Sequence, residues 1–237
     1  MESQSTQHRG LKRLGLGLVV FLVVCILGFY AYTSDYYHAD ATARAVMTTD
    51  STIEVVDNLT ILHPENPNGT GLIFYPGAKV EAKAYLPLLE KLKVQGITCV
   101  LVKMPYNMAI FNPDAADAVY AAVPEISRWY IGGHSMGGAM ASSYAAGHPQ
   151  DVEGLILLGA YIYGDYLPEK TLTVYGSFNA NLEKNINYTE NIVVIDGGNH
   201  AQFGNYGIQK GDPLATISSE EQQNAAVAAI VDFMKEK

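Results

Sequence analysis

The apolar positions of this chain follow two regimes. From Leu14 to Tyr32 nineteen consecutive residues carry no charge, LGLGLVVFLVVCILGFYAY, just after Arg9, Lys12 and Arg13. A helix of that length spans about 28 Å at about 1.5 Å per residue, close to the hydrocarbon thickness of a bilayer. Beyond residue 50 the apolar residues come instead in short runs separated by helical spacings. TIEVVDNLTILHP alternates loosely and breaks at Asp57-Asn58, which predicts two strands or a hairpin. GLIFYPG (71–77) predicts a strand ending in a turn. Tyr85, Leu88, Leu89 and Leu92 then keep the i, i+3, i+4, i+7 spacing of a helix stopped at Gly96. Pro87 fits only the first turn of that helix.

The alternation runs on to the C-terminus. Strands are predicted over 97–105, 127–133, 152–161, 171–176 and 191–198, with helices over 114–123 and 136–147 and a short helical piece near Asn181. The last helix opens on a capping box, Ser218 with Glu221, and turns Val227, Ile230, Val231 and Met234 to one face. Strands alternating with helices in this way define the α/β class, a mainly parallel sheet covered on both faces. The strand ending at Tyr161 and the one starting at Thr171 are too close to admit a lid domain between them.

Composition narrows the picture. A chain of 237 residues, 49% apolar and 16% charged, suits one domain with a buried core and excludes a disordered one. Net charge is −9, and beyond Arg13 the balance is 12 basic against 23 acidic side chains, so nucleic acid is not an expected partner. Cys25 and Cys99 have neither metal-ligand spacing nor positions that suit a disulfide, and Cys99 reads as a small buried apolar residue. No phosphate-binding glycine loop or dinucleotide fingerprint is present, so no cofactor and no metal are expected.

The basic flank fixes the expected topology. Residues 1–13 form a cytoplasmic N-terminus, 14–32 a transmembrane anchor, 33–50 a stalk with a helical pattern in YYHADATARAVM, and 51–237 an extracytoplasmic domain, an arrangement expected of a single-pass protein of the cell membrane. Phe29, Tyr30, Tyr32, Tyr36 and Tyr37 crowd the far end of the apolar run, as at a membrane–water boundary. A cleaved signal peptide is the competing reading, with Ala39-Asp40-Ala41 as an A-x-A site. That site lies well beyond the run, and the run is long for such a peptide. Asn58, Asn68 and Asn187 open N-x-S/T sequences, which matter only in a host that glycosylates exported proteins.

The candidate chemistry sits at Gly133-His134-Ser135-Met136-Gly137, which follows a predicted strand and opens a predicted helix. A sharp strand-to-helix turn strains the serine backbone and lifts its hydroxyl above the sheet. Gly132, Gly133, Gly137, Gly138, Ala139 and Ala141 allow the close backbone approach this requires. A serine hydroxyl needs a base to take its proton. In the chain order Ser, acid, His, the base lies beyond the last strand, and of six histidines His200 alone does so. His134, beside the serine, is expected to pack. The backbone N–H groups of Ala78, after the early strand, and of Met136 are the expected pair of oxyanion donors. Tyr161, Tyr163 and Tyr166 are candidates to line or cover the site.

YPG (75–77), GGHSMGG (132–138) and GGNHAQFG (197–204) together resemble the α/β-hydrolase superfamily, within it a compact lidless group, over roughly residues 50–237. The resemblance implies the α/β-hydrolase fold, Ser135 as nucleophile, His200 as base, and hydrolysis of a small-molecule ester or amide without a cofactor. The third member departs from the pattern. Relatives carry Gly-x-x-Asp after the strand TLTVYG, whereas this chain reads Gly176-Ser177-Phe178-Asn179. An amide can still orient the imidazole, but it lacks the negative charge that stabilises imidazolium. In a serine protease the same exchange costs about 10⁴ in turnover. Asn179 is therefore the residue expected at the acid position, with reduced activity, and Asp165, Glu183 and Asp196 are the alternative carboxylates. Two functions follow: a membrane-anchored serine hydrolase, or a degenerate hydrolase fold that binds a ligand without turnover.

Overall fold

The computed structural model describes residues 2–236 and divides the chain into two units, Met1–Tyr36 and Tyr37–Lys237. Met1 of the expected cytoplasmic segment and Lys237 of the expected domain lie outside the described residues. The first unit is one helix, α1 (Glu2–Ser34). Its segment Leu14–Ser34 is long and apolar enough to cross a membrane, and among the described residues no other helix is. The helix extends past the uncharged run at both ends, and in its last turn the hydroxyls of Thr33 and Ser34 donate back to the carbonyls of Phe29 and Ala31.

The second unit begins inside the segment expected as a stalk. Tyr37 pairs with Val80 in a parallel bridge: Tyr37 N–H donates to the Lys79 carbonyl at 2.7 Å, and Glu81 N–H donates to the Tyr37 carbonyl at 2.8 Å. Asp40 then caps α2 (Ala41–Thr49) by accepting from Ala43 N–H. Ala39, Ala43 and Val46 are buried in the core, so residues 37–49 pack as part of the domain. The helical pattern within YYHADATARAVM is thus a real helix, with Ala43 and Val46 on its buried side and Ala39 buried just before its cap.

The remaining elements are β1 (Ile53–Val56), β2 (Leu59–Leu62), β3 (Thr70–Tyr75), α3 (Leu86–Val94), β4 (Thr98–Val102), α4 (Asp117–Ala122), β5 (Arg128–His134), α5 (Met136–Gly147), β6 (Gly154–Leu158), β7 (Thr171–Gly176), α6 (Ala180–Glu183), β8 (Ile192–Ile195) and α7 (Ser219–Lys235). They build one eight-stranded sheet in the order β1-β2-β4-β3-β5-β6-β7-β8. The pairs β1–β2 and β2–β4 are antiparallel, and β4, β3, β5, β6, β7 and β8 run parallel. The predicted hairpin at Asp57-Asn58 forms with Asp57 at φ 53°. Strand β6 stops at Leu158, short of the expected Tyr161, because Gly159 turns the chain at φ 56°.

Side chains alternate across the sheet. Along β3, Leu72 and Phe74 join a core completed by Leu88, Leu89, Leu92, Ile230 and Phe233 under α3 and α7. Ile73 and Tyr75 face the opposite way, into a core with Val119, Ala141 and Tyr144 under α4 and α5. Both faces are therefore covered, as parallel strands require. The capping box of α7 is present, with Ser218 and Glu221 reciprocally bonded. The carboxyl ends of β3, β5, β6, β7 and β8 lie along one edge, where ligands bind in open α/β sheets.

Candidate active site

Ser135 occupies the single-residue turn between β5 and α5 with φ 54° and ψ −122°, a conformation that costs a residue with a side chain on the order of 1–3 kcal/mol. Its N–H donates to the Leu158 carbonyl at 3.0 Å, and its own carbonyl accepts from Ala139 N–H at 3.1 Å, so both neighbouring elements hold the strain. Gly137 shows how tight the elbow is. A Cβ there would lie 2.2 Å from the Tyr75 carbonyl oxygen and 2.3 Å from that of Pro76. The first turn of α5 thus rests directly on the chain leaving β3, which brings Met136 towards Ala78. Neither the Met136 nor the Ala78 N–H has a hydrogen-bond partner among the described residues. Both are free to meet an anionic oxygen.

His200 follows β8 and opens a short 3-10 turn, Ala201–Phe203. Its ring packs 4.5 Å from that of His134, centroid to centroid, and lies over Gly159, where a Cβ would meet Nδ1 at 2.9 Å. It therefore sits across the ends of β5 and β6, beside the elbow. Asn179 Nδ2 lies 2.9 Å from His200 Nδ1, which puts the side chain at the acid position in contact with the imidazole. Ser135 Oγ makes no hydrogen bond to His200; bonds of this kind commonly tighten only when substrate binds. Burial lowers the pKa of His200, and the nearby Asp212 carboxylate opposes that shift. The neutral imidazole, the form able to accept a proton, is favoured at neutral pH.

His134 is packed, as expected, but also bonded in a way its sequence neighbours do not reveal. Its ring is buried and bridges two loops: Nε2 lies 2.9 Å from the His200 carbonyl, and Nδ1 lies 2.7 Å from the Tyr85 hydroxyl. That hydroxyl also accepts from Gly77 N–H at 3.0 Å. A neutral ring with Nε2–H donating and Nδ1 accepting satisfies every group in the chain. Burial, then the neighbouring His200, hold its pKa well below the ordinary imidazole range, against the pull of the His200 carbonyl. One buried chain of bonds thus joins the turn before Ala78 to the loop of His200.

The alternative carboxylates are placed elsewhere. Asp165 and Glu183 are exposed, and neither bonds to His200. Asp196 accepts from the Ser177 hydroxyl at 3.2 Å. Asp212, which the sequence did not single out, accepts from His200 N–H at 3.2 Å and from Ala201 N–H at 2.8 Å. Its only sequence signal was a Gly-Asp-Pro turn twelve residues past the histidine, on the wrong side for the order Ser, acid, His. Asn179, His200 and Asp212 share a cleft of about 350 Å³ with Phe178 and Lys210. Of the tyrosines expected over the site, Tyr161 and Tyr163 are exposed beyond β6, whereas Tyr166 is buried in the core under α4 and α5. The apolar interior wins over the site edge at Tyr166. No cluster of His, Cys, Asp and Glu able to hold a metal occurs among the described residues.

Solved structures share this fold. A ferulic acid esterase from Streptomyces cinnamoneus matches at TM-score 0.55 with 16% identity, over 73% of this chain and 68% of its own. A lidless α/β serine hydrolase from Xanthomonas campestris matches at 0.54 with 14% identity, over 78% and 95%. A soluble variant of monoglyceride lipase from Saccharomyces cerevisiae, bound to a substrate analogue, matches at 0.54 with 10% identity, over 79% and 95%. For two other matched chains, a probable hydrolytic enzyme from Pseudomonas aeruginosa and a carboxyl esterase from Bacillus coagulans, the match spans only 39% and 43% of the other chain's length. No curated protein sequence matches. The family model described as "Alpha/beta hydrolase family" matches residues 71–224, a span that holds the strained serine, the amide at the acid position and the packed pair of His134 and His200: the chain belongs to the α/β-hydrolase family.

Proposed function

We propose that the protein is a membrane-anchored serine hydrolase that cleaves small carboxylic esters, and less readily amides, through an acyl-enzyme on Ser135. The observation that carries this reading is a serine held at positive φ in the strand-to-helix turn, with the His200 ring packed on His134 and Gly159 beside it. His200 Nε2 takes the Ser135 proton as Oγ attacks the carbonyl carbon. The N–H groups of Ala78 and Met136 bind the resulting oxyanion. The imidazolium then gives its proton to the departing alkoxide or amine, and a water molecule, activated by the same ring, releases the acid. Segment 14–34 serves as the anchor, and Arg9, Lys12 and Arg13 keep its start in the cytoplasm, so the domain lies on the extracytoplasmic side.

The acid position favours a second reading. With Asn179 Nδ2 facing His200 Nδ1, the amide donates, Nδ1 accepts, and Nε2 carries the hydrogen, which is the wrong tautomer for a base. A half-turn of the amide presents Oδ1 instead, and Nδ1–H then donates to it. If the first orientation prevails, the fold is a binding protein without turnover. The test is p-nitrophenyl acetate hydrolysis and labelling by a fluorophosphonate probe, both on the full-length chain. The hydrolase reading requires both, with both abolished in Ser135→Ala. Absence of labelling in the wild type removes it in favour of the binding protein.

A further inference from the structure

Asn179 leaves an electrostatic deficit. When His200 takes a proton its ring becomes cationic, and the amide beside Nδ1 offers a dipole but no charge. Asp165 and Glu183 are exposed and unbonded to His200, and Asp196 is engaged with Ser177. The remaining ionisable groups that face the ring or its loop are His134, Tyr206, Lys210, Asp212 and Asp40, the last bonded to Asn205, five residues beyond the imidazole. Burial disfavours the charged forms of His134 and Tyr206, and Lys210 is an exposed cation on the rim of the cleft. Of the two carboxylates, Asp212 is the one bonded to the His200 backbone itself.

Its attachment is specific. One carboxylate oxygen takes the His200 N–H and the other the Ala201 N–H, so both oxygens are fixed to the backbone that carries the imidazole. The loop that presents it is itself pinned: Asp212 N–H donates to the Gln209 carbonyl at 3.1 Å, and Asn199 Nδ2 donates to the Pro213 carbonyl at 2.8 Å. A half-buried carboxylate held this way keeps a constant distance to the ring and is screened less than a mobile surface acid.

We propose that Asp212 is a positioning residue for the reaction, fixing the His200 backbone and supplying through space the counter-charge that the Asn179 amide lacks. The proposal rests on the serine-hydrolase reading, and its test separates the two. Asp212→Asn keeps the shape and one acceptor while removing the charge. A neutral His200 is the active base, and losing a nearby anion disfavours its protonated form. The acid limb of kcat/KM for p-nitrophenyl acetate therefore moves down by about half a pH unit, and the plateau falls about tenfold, mostly in kcat. Asp212→Glu, with the charge retained, keeps the limb in place. In an Asn179→Asp background, where the ring already has a charged partner, Asp212→Asn costs no more than about twofold. If Asp212→Asn does not fold, Asp212→Ser, whose hydroxyl still accepts one N–H, is read the same way. The His200 imidazole titration, followed by NMR in the full-length chain with His200→Gln for its assignment, reports the downward shift whether or not the protein turns over. A titration that does not move, or an equal loss of rate in both backgrounds, overturns the proposal.

Discussion

Replacing Tyr85 by phenylalanine isolates the buried bond chain that joins the two halves of the site. The hydroxyl lost accepts from Gly77 N–H at 3.0 Å and meets His134 Nδ1 at 2.7 Å, and its whole side chain is inaccessible to water. Both partners stay buried without replacements, each at a cost of about 1–3 kcal/mol. Allowing for partial relaxation, the loss of stability is about 3 kcal/mol, which for a domain of about 200 residues lowers Tm by about 6–12 °C. Activity falls as well, because the Gly77 N–H bond fixes the turn that aims Ala78. Outright removal of an oxyanion donor costs about 10²–10³ in kcat, so misaiming one costs about tenfold. Thermal unfolding of the full-length chain followed by fluorescence, with p-nitrophenyl acetate kinetics, measures both. Tyr206→Phe is the control, since it removes one bond to Gln209 and costs about 1 kcal/mol or less. A Tm within 2 °C of wild type and an unchanged kcat for Tyr85→Phe would refute the reasoning.

Three further outcomes are expected. Asn179→Asp raises p-nitrophenyl acetate turnover at least about tenfold and moves the acid limb of the pH profile upward, since a carboxylate in direct contact with Nδ1 favours the protonated ring more than the through-space charge of Asp212 does; equal rates would show that the charge already present suffices. Gly159→Ala introduces a Cβ 2.9 Å from His200 Nδ1 at a φ of 56°, so kcat drops by about tenfold or more with a stability loss of about 1–3 kcal/mol, read by the same two assays. Stability declines as pH falls below the ordinary histidine value of 6.5. His134 and His200 are held lower in the folded state, so the unfolded chain binds more protons there. Denaturant melts between pH 8 and pH 5 check the direction, and a Ser218→Ala variant, lacking the α7 cap, melts lower at every pH by about 1 kcal/mol.

What the sequence revealed was local. The elbow could be read because its glycines, the serine and the strand-to-helix switch lie within seven residues. His200 could be read because it follows the final strand. The alternation of short apolar runs with helical spacings already implied a mainly parallel sheet covered on both faces. Contacts across long separations were hidden. Tyr85 fitted a helical stripe, yet it sits just before α3, and its value lies in an oxygen bonded to a residue 49 positions away. Asp212 escaped because its partners are backbone N–H groups, which leave no side-chain pattern. Residues 37–49 passed for a stalk because their buried side chains are mainly alanines, whose burial carries little hydropathy signal.

The bridge at Tyr37 sets where the folded body may be severed from what precedes it. Trimming after Ala41 would take away the tyrosine seated against Val80, the 1%-exposed Ala39 and the aspartate that starts α2. It would also remove the phenol oxygen that accepts Lys210 N–H at 3.0 Å, two residues before Asp212. A shortened chain that keeps these contacts has to begin no later than Tyr37.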